Sequence, residues 1–408
     1  MKRILFLILV LAVPVVTPVA AQDEAFPRYT FLGQVRHRFE VNARDFNDDT
    51  DPIAFNLLRT RLGVRFLPIE NVEALLQIQD SRMFGEELNT LTDGDADQLD
   101  LHQGYVKITN LFNRPVDLQL GRFEAVYGAQ RLIGAVGWHN VGRSFDGVLL
   151  RLHPRNVKID LFNLKLVEKL EPGGEGDLNV MGAYGDFQLI DTYTTQAFVI
   201  WQRAKPSSEL NRFTLGLYLT GTTTNFRPEI DLAYQGGERE GIDVSALLVA
   251  VNLGYTVPGV SLQPTFSAGI DYLSGDDDPA DDTFKVFDTL YATNHKFYGF
   301  MDYFLNIPVH TLGLGLRDIH AKIALKPHQD LSLRLAYHNF SANEDFTLAD
   351  GATTTRFGNE IDFTLVFNYN QRVSFTGGAS VFAPGAIFEE TRGSDLGLWG
   401  YLMTVVNL

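Results

Sequence analysis

The chain contains no cysteine among its 408 residues. In an exported protein that excludes a disulfide scaffold, and it removes thiol catalysis and thiolate metal sites. Positive charge is scarce too: 34 Lys and Arg stand against 50 Asp and Glu, a formal charge of -16. Lacking a basic segment, such a chain is a poor partner for nucleic acid. Beyond the first 21 residues no stretch holds 18 consecutive apolar residues, so helical membrane spans are excluded. A glycine loop able to cradle phosphates is also missing, and nothing couples the chain to a nucleotide.

What is present narrows the class further. Hydrophobic residues make up 45% and aromatics 12%, too much for a disordered chain. Residues 1–21 read as a cleaved signal peptide, with Lys2 and Arg3 before an apolar run from Ile4 to Val16 and small residues at Val19-Ala20-Ala21. Cleavage would remove two positive charges and no negative ones, moving the net charge from -16 to -18. Residues 22–408 read as one domain without a linker. An exported all-β protein or an outer-membrane β-barrel remains.

Alternation of period two dominates from Arg28 onward. Phe213, Leu215, Leu217 and Leu219 alternate with Arg212, Thr214, Gly216, Tyr218 and Thr220. Ile361, Phe363, Leu365 and Phe367 alternate with Glu360, Asp362 and Thr364. Such runs put alternate residues on opposite faces of a sheet. Many runs reach about 10–14 residues, whereas soluble strands average ~5–6 and a tilted membrane strand needs ~9–11.

Eighteen strands are expected, at 28–43, 53–66, 71–82, 99–109, 116–123, 143–153, 157–167, 178–189, 193–203, 211–222, 229–235, 243–256, 262–273, 312–326, 331–342, 358–369, 373–382 and 397–408. Connections between them alternate long and short, and most of the short ones contain proline, such as Pro68, Pro115 and Pro327. Short turns on one rim and long loops on the other mark a transmembrane antiparallel barrel with periplasmic turns and extracellular loops. The acidic clusters fall in the long set, including Asp45 to Asp51, Asp93 to Asp97, Glu168 to Asp177 and Asp276 to Asp282. The longest connection, 274–311, carries Phe284, Phe287, Leu290 and Tyr291 at a spacing that suits one or two helical turns.

In a closed barrel the lipid side must be apolar, so charged alternating positions face the lumen. Basic candidates there include Arg36, Arg38, Arg59, Arg61, Arg122, Arg143, Arg212, Lys322 and Arg334, and they outnumber the acidic ones. Arginine rings give anion pores their preference, and the guanidinium fork matches carboxylate or phosphate. The alternative is that these groups pair across strands and brace the wall.

One block stands out: Gly121-Arg122, Tyr127-Gly128, Arg131, Trp138 and Gly142-Arg143-Ser144-Phe145-Asp146-Gly147. Its glycines permit a loop folded inward, with guanidinium groups at a constriction and Asp146 holding Arg143 in place. The block resembles the alginate-export family of outer-membrane porins, as does Thr293 to Phe304. The resemblance implies an 18-stranded barrel whose arginine-rich pore passes a polyanionic uronate polysaccharide outward. It points to Arg122, Arg131, Arg143 and Asp146 as the matching positions.

Signals for catalysis are thin. His139 with Ser144, and His338 with Ser341, come without a third partner. Asp93-x-Asp95-x-Asp97 opens like a calcium loop, but Gln98 stands where the glycine belongs. The reading is therefore a non-enzymatic, monomeric barrel in outer-membrane lipid, without metal or cofactor, passing small anions or an anionic polysaccharide. A general small-solute porin and a plugged structural or adhesive barrel are its rivals. Periplasmic export partners are left open.

Overall fold

The computed structural model describes residues 26–86, 99–169, 176–190, 192–205 and 209–408. The signal-peptide reading, the Asp93 to Asp97 motif, Glu171 and Glu175 lie outside these residues.

The strands, in chain order, are β1 (Arg28–Ala43), β2 (Ile53–Ile69), β3 (Val72–Met83), β4 (Leu99–Ile108), β5 (Val116–Phe123), β6 (Phe145–Leu152), β7 (Val157–Val167), β8 (Leu178–Ile190) and β9 (Tyr193–Ala204). They continue as β10 (Leu210–Gly221), β11 (Phe226–Arg239), β12 (Ile242–Thr256), β13 (Thr265–Leu273), β14 (Thr283–Phe284), β15 (Leu316–His328), β16 (Leu331–Thr347), β17 (Thr353–Asn368), β18 (Val373–Pro384) and β19 (Gly397–Asn407). Two short helices, α1 (Ile307–His310) and α2 (Ala386–Thr391), lie in loops.

Leaving β14 aside, each strand pairs antiparallel with its sequence neighbours, and β1 pairs with β19, so the ring closes with eighteen strands. Closure leaves no edge, the condition for a sheet to sit in lipid. The two-residue β14 lies off this ring, alongside β12 in parallel.

All eighteen expected strands are present, but the loop lengths do not alternate strictly. The expected long connection at 236–242 is the two-residue turn Glu240-Gly241, because β11 runs on to Arg239 and β12 begins at Ile242. Both turn residues have positive φ, 53° and 81°, the type I′ geometry whose twist matches a hairpin. The connection expected at 343–357 shrinks likewise, as β16 and β17 extend to Thr347 and Thr353. Polar residues continue these ladders, as where Glu238 pairs with Asp243 and Thr347 with Thr353.

The alternation places Leu215, Leu217, Leu232, Ile270, Ile319, Ile361 and Phe363 on an exposed outer surface. A large continuous apolar exterior is a lipid-facing belt. The inner face carries the buried polar set Arg36, Arg38, Arg59, Asp160, Arg212, Asp271, Asp318, Glu360 and Asp362. It also carries an apolar arc on β5 to β12, including Phe123, Phe162, Leu164, Val180, Phe198, Ile200 and Leu248.

Candidate functional site: a lumen bridged by two inward loops

The connection between β5 and β6, residues 124–144, folds into the barrel. Its Ala125, Ala129, Leu132 and Ile133 are buried in one cluster with the apolar arc. Burial of those side chains holds the loop at one wall, and charge holds it at two more points.

The first point is Arg131. Its guanidinium forks onto Asp271 of β13, with Nη1 donating to Oδ2 at 2.7 Å and Nη2 to Oδ1 at 3.1 Å. Asp231 of β11 stands 3.8 Å from Nε, and the Phe297 ring lies under the guanidinium at 4.0 Å. Burial alone would lower the Arg131 pKa, but Asp271, Tyr298 and Asp231 together raise it above the ordinary arginine value. Arg131 is therefore a locked cation.

The second point is a nest of backbone carbonyls at residues 137–141. Arg36 donates to the carbonyls of Gly137 at 2.6 Å and His139 at 3.1 Å. Arg38 donates to Trp138 O at 2.6 Å, Arg59 to Gly137 O at 3.2 Å and Arg61 to Val141 O at 3.2 Å. Arg38 also lies over the Trp138 ring at 3.9 Å. In the ring of eighteen strands, β2 and β11 are nine apart, half the circumference. The loop thus spans the lumen from the Asp231/Asp271 wall to the arginine wall.

The second inward loop, 274–315, runs beside the first. Tyr291 N donates to Leu132 O at 2.8 Å, Gly134 N to Tyr291 O at 2.9 Å and Thr293 N to Gln130 O at 2.9 Å. A side chain at Gly134 is excluded, since a Cβ there would lie 2.3 Å from Thr293 Oγ1. The helical turns expected around Phe284 to Tyr291 do not form. Their backbone bonds go instead to the neighbouring loop and to the wall, as when Asp288 N donates to Gln235 Oε1 at 3.0 Å. Leu290 also takes a left-handed φ of 56°. Farther on, Met301 N donates to the buried carboxylate of Glu360 at 2.9 Å. Phe304 packs with Phe340, Phe357 and Phe388, and Phe382 stacks on Phe340 and Phe388.

A cavity of about 710 Å³ opens on the short-turn side of these loops. Arg227, Lys296, Lys326 and Arg334 line it together with His295, and no carboxylate of the described residues does. Trp138, Phe300 and Tyr401 give it aromatic surface, and Trp138 stacks on His295 at 4.5 Å. Burial pulls Lys296 below the ordinary lysine pKa; Glu229 opposes that, and Arg131 adds to it. On the long-loop side a second cavity, of about 510 Å³, mixes charges: Arg212 and Arg239 with Asp177, Glu209, Glu240 and Asp288. Here Arg212 donates to Asp288 at 2.6 Å.

The residues expected to form the pore are distributed unevenly. Arg36, Arg38, Arg59 and Arg61 are brought together in the lumen, but as anchors of the loop. Arg143 sits in the loop, donating to Ala292 O at 3.3 Å with its guanidinium 5.8 Å from the Tyr291 ring, and burial lowers its pKa. Arg122 and Asp146 depart from the expectation. They pair with each other at 2.9 Å, so the partner of Asp146 is Arg122 and not Arg143. Both share the outward face with Leu120 and Val148, which are 43% and 42% exposed, while Phe123 and Phe145 point inward. The glycine-rich block straddles a strand end, and sequence spacing does not tell on which side of the wall each arginine emerges.

Missed by the sequence reading were Arg227, Lys296 and Lys326 as cavity-lining groups, and Asp231 and Asp271 as partners of Arg131. Parity carried the signal for some: Arg227 shares its face with Glu229 and Asp231. Lys326 sits beside Pro327 at a turn, where alternation fades.

Neither of the Ser–His pairs adjacent in sequence, set aside above for want of a third partner, meets in the structure. Ser144 Oγ lies 3.4 Å from His102 Nδ1 instead, and His102 Nε2 lies 2.7 Å from Glu124. Glu124 is also bonded by Arg61 at 3.1 Å, which ties the loop's start to the wall. His338 turns to Asp318, and Ser341 Oγ accepts from Arg317 at 3.0 Å.

A closed antiparallel barrel with an apolar belt, a polar lumen and inward loops defines an outer-membrane channel protein. More particularly, the chain belongs to the alginate export family, whose profile matches residues 28–400. That family is one of transport proteins. Curated proteins include no sequence match to the chain. Among solved structures it resembles OccK3 (OpdO) of Pseudomonas aeruginosa, at 14% identity and a TM-score of 0.61, covering 93% of this chain and 95% of that one. OccK11 (OpdR) of the same organism matches at 13% identity and a TM-score of 0.61, over 93% and 96%. Acinetobacter baumannii OccAB4 matches at 12% and 0.61, over 93% and 98%. At such identities the likeness is one of fold.

Proposed function

We propose that the barrel is a passive channel for an anionic solute, and that its cargo is an alginate-like uronate polysaccharide moving outward. The observation that carries this reading is the short-turn-side cavity, where four cationic side chains gather without a carboxylate among the described residues. Its aromatic surface supplies flat faces against which sugar rings can slide. The family adds the polymer: alginate export requires a lumen that attracts repeated carboxylates. The wall arginines contribute field more than direct ligation, because their donors are largely engaged by loop carbonyls.

Each unit charge about 4 Å from a carboxylate is worth about 4 kcal/mol at an effective dielectric near 20, before desolvation subtracts from it. Part of that, summed over four cations, suffices to set ion preference.

Reversal potential in planar bilayers under a salt gradient is the test. Wild type should prefer anions, and an oligouronate added on the short-turn side should block current. Glutamine in place of Arg227, Lys296, Lys326 and Arg334 should shift the reversal potential toward cations and weaken the block. Raising the pH should erode anion preference before the ordinary lysine value of 10.5 is reached, since Lys296 releases its proton early. Anion preference without polymer block favours a general small-solute porin. Absent conductance favours a plugged barrel, a reading supported by the dense packing of Phe304, Phe340 and Phe388 under the loops.

A further inference from the structure

The barrel wall beside the second loop holds a cluster that the transport reading leaves unused. His320 of β15 and His338 of β16 are directly paired across the ladder, so both rings enter the lumen side by side, centroids 5.4 Å apart. Asp318 lies two residues from His320 on the same face. Its Oδ2 stands 2.7 Å from His338 Nδ1 and 3.3 Å from His320 Nδ1. Asp362 of β17 approaches from the other side, with Oδ2 4.0 Å from His338 Nε2. All four are buried: Asp318 is 0% exposed, Asp362 1%, His338 2% and His320 5%.

The hydrogen bonding is incomplete. Among the described residues Asp318 Oδ1, His320 Nδ1 and Asp362 Oδ2 have no hydrogen-bond partner. Nor does any lysine or arginine of the described residues form an ion pair with Asp318 or Asp362. Buried lone pairs left this way are costly. Opposite His320 the ladder places Gly269, where a Cβ would fall 2.5 Å from His320 Nε2, so glycine makes the room the ring occupies.

We propose that Asp318, His320 and His338, with Asp362 beside them, bind one divalent transition-metal ion of the zinc or cobalt type. Two imidazoles and carboxylate oxygen are borderline ligands that suit such ions, whereas calcium and magnesium take oxygen throughout. One ligand atom from each of Asp318, His320 and His338 lies within 4.8 Å of the others. Bonds of about 2.0–2.1 Å in a tetrahedron space the ligand atoms about 3.3 Å apart, so His338 needs to withdraw from Asp318 by roughly half an ångström. Two carboxylates offset a divalent charge while both rings stay neutral. Thr364, two residues from Asp362 on the same face, lines the cationic cavity. Bound in the cluster, the ion joins β15 to β16, while Asp362 of β17 stands beside the other nitrogen of His338.

The test uses the full chain folded in detergent, stripped with a chelator and titrated with Co²⁺. One equivalent should bind, with the visible absorption bands of a low-symmetry nitrogen- and oxygen-ligated ion, and Zn²⁺ should displace it. His320→Asn and His338→Asn should each weaken binding at least tenfold. Asp277→Asn with Asp281→Asn, in the exposed acidic loop, should leave it unchanged. Wild type that takes up no Co²⁺, or takes it up without a nitrogen signature, overturns the proposal, and neither result depends on whether a variant folds. Binding kept by folded histidine variants but lost in the loop variant overturns it as well.

Discussion

Arg131 shows how one residue is committed by its surroundings. A buried guanidinium is unfavourable by itself, yet two carboxylates on β11 and β13 meet it, and the fork onto Asp271 satisfies both of that group's oxygens. Removing the cation strands Asp271 and Asp231 in the interior. Arg131→Gln should therefore destabilise the barrel by about 3–5 kcal/mol, the usual cost of breaking a buried pair. Urea unfolding in lipid vesicles measures this. A loss under 1 kcal/mol would mean that water reaches the pair. Restoring neutrality with Asp271→Asn in the same chain should recover part of the loss, a coupling that a double-mutant cycle reads directly.

At the scale of elements, each strand has two solvents. Leu217 on β10 is exposed to the outside, and its neighbour Thr214 is buried against Gln235, whose Nε2 donates to Thr214 Oγ1 at 3.2 Å. Leu217→Arg should weaken folding by roughly 2–4 kcal/mol if it sits near the bilayer midplane. Thr214 is a poor lumenal control, because it has no room for a longer chain. Thr364→Arg, which would enter the cationic cavity, should be much milder. Equal losses in a lipid-refolding titration would show that the two faces are assigned wrongly. The inward loops follow the same logic: the first packs its apolar residues on the β5 to β12 arc, the second sets Phe304 against Phe340 and Phe357, and the carbonyls of the first meet the arginines of β1 and β2.

For the whole molecule, the rims differ in kind. Proline turns and both terminal strand ends occupy one rim. Most of the long connections and the acidic cluster Asp276 to Asp282 belong to the other, where Lys285 bridges Asp277 and Asp281. The long-loop rim should face the medium. A tag inserted at 278–280 should be reachable by antibody on intact cells; a tag accessible only after the outer membrane is broken would invert the orientation. The same orientation puts the cationic cavity on the periplasmic side, where an exported polyanion would first meet it.

Much of this architecture was legible beforehand because a membrane barrel writes itself in local terms. Lipid demands an apolar residue at every second position, so eighteen strands could be read from alternation with ends displaced by a few residues. Loop lengths were less legible: at Glu240-Gly241 and Thr347 to Thr353 the ladder continues through polar residues that carry no apolar alternation. The lumen was legible only as a tendency toward positive charge. That Arg36, Arg38, Arg59 and Arg61 grip one loop, that Arg122 turns outward, and that Asp318 meets His338 depends on contacts between residues 20 to more than 100 positions apart. Sequence determined which residues are polar and, along a clean alternation such as Phe213 to Thr220, which of them share a face. Only closure of the ring, which brings distant strands and two loops into one water-poor interior, decided which charges would be partnered and which left to face a cargo.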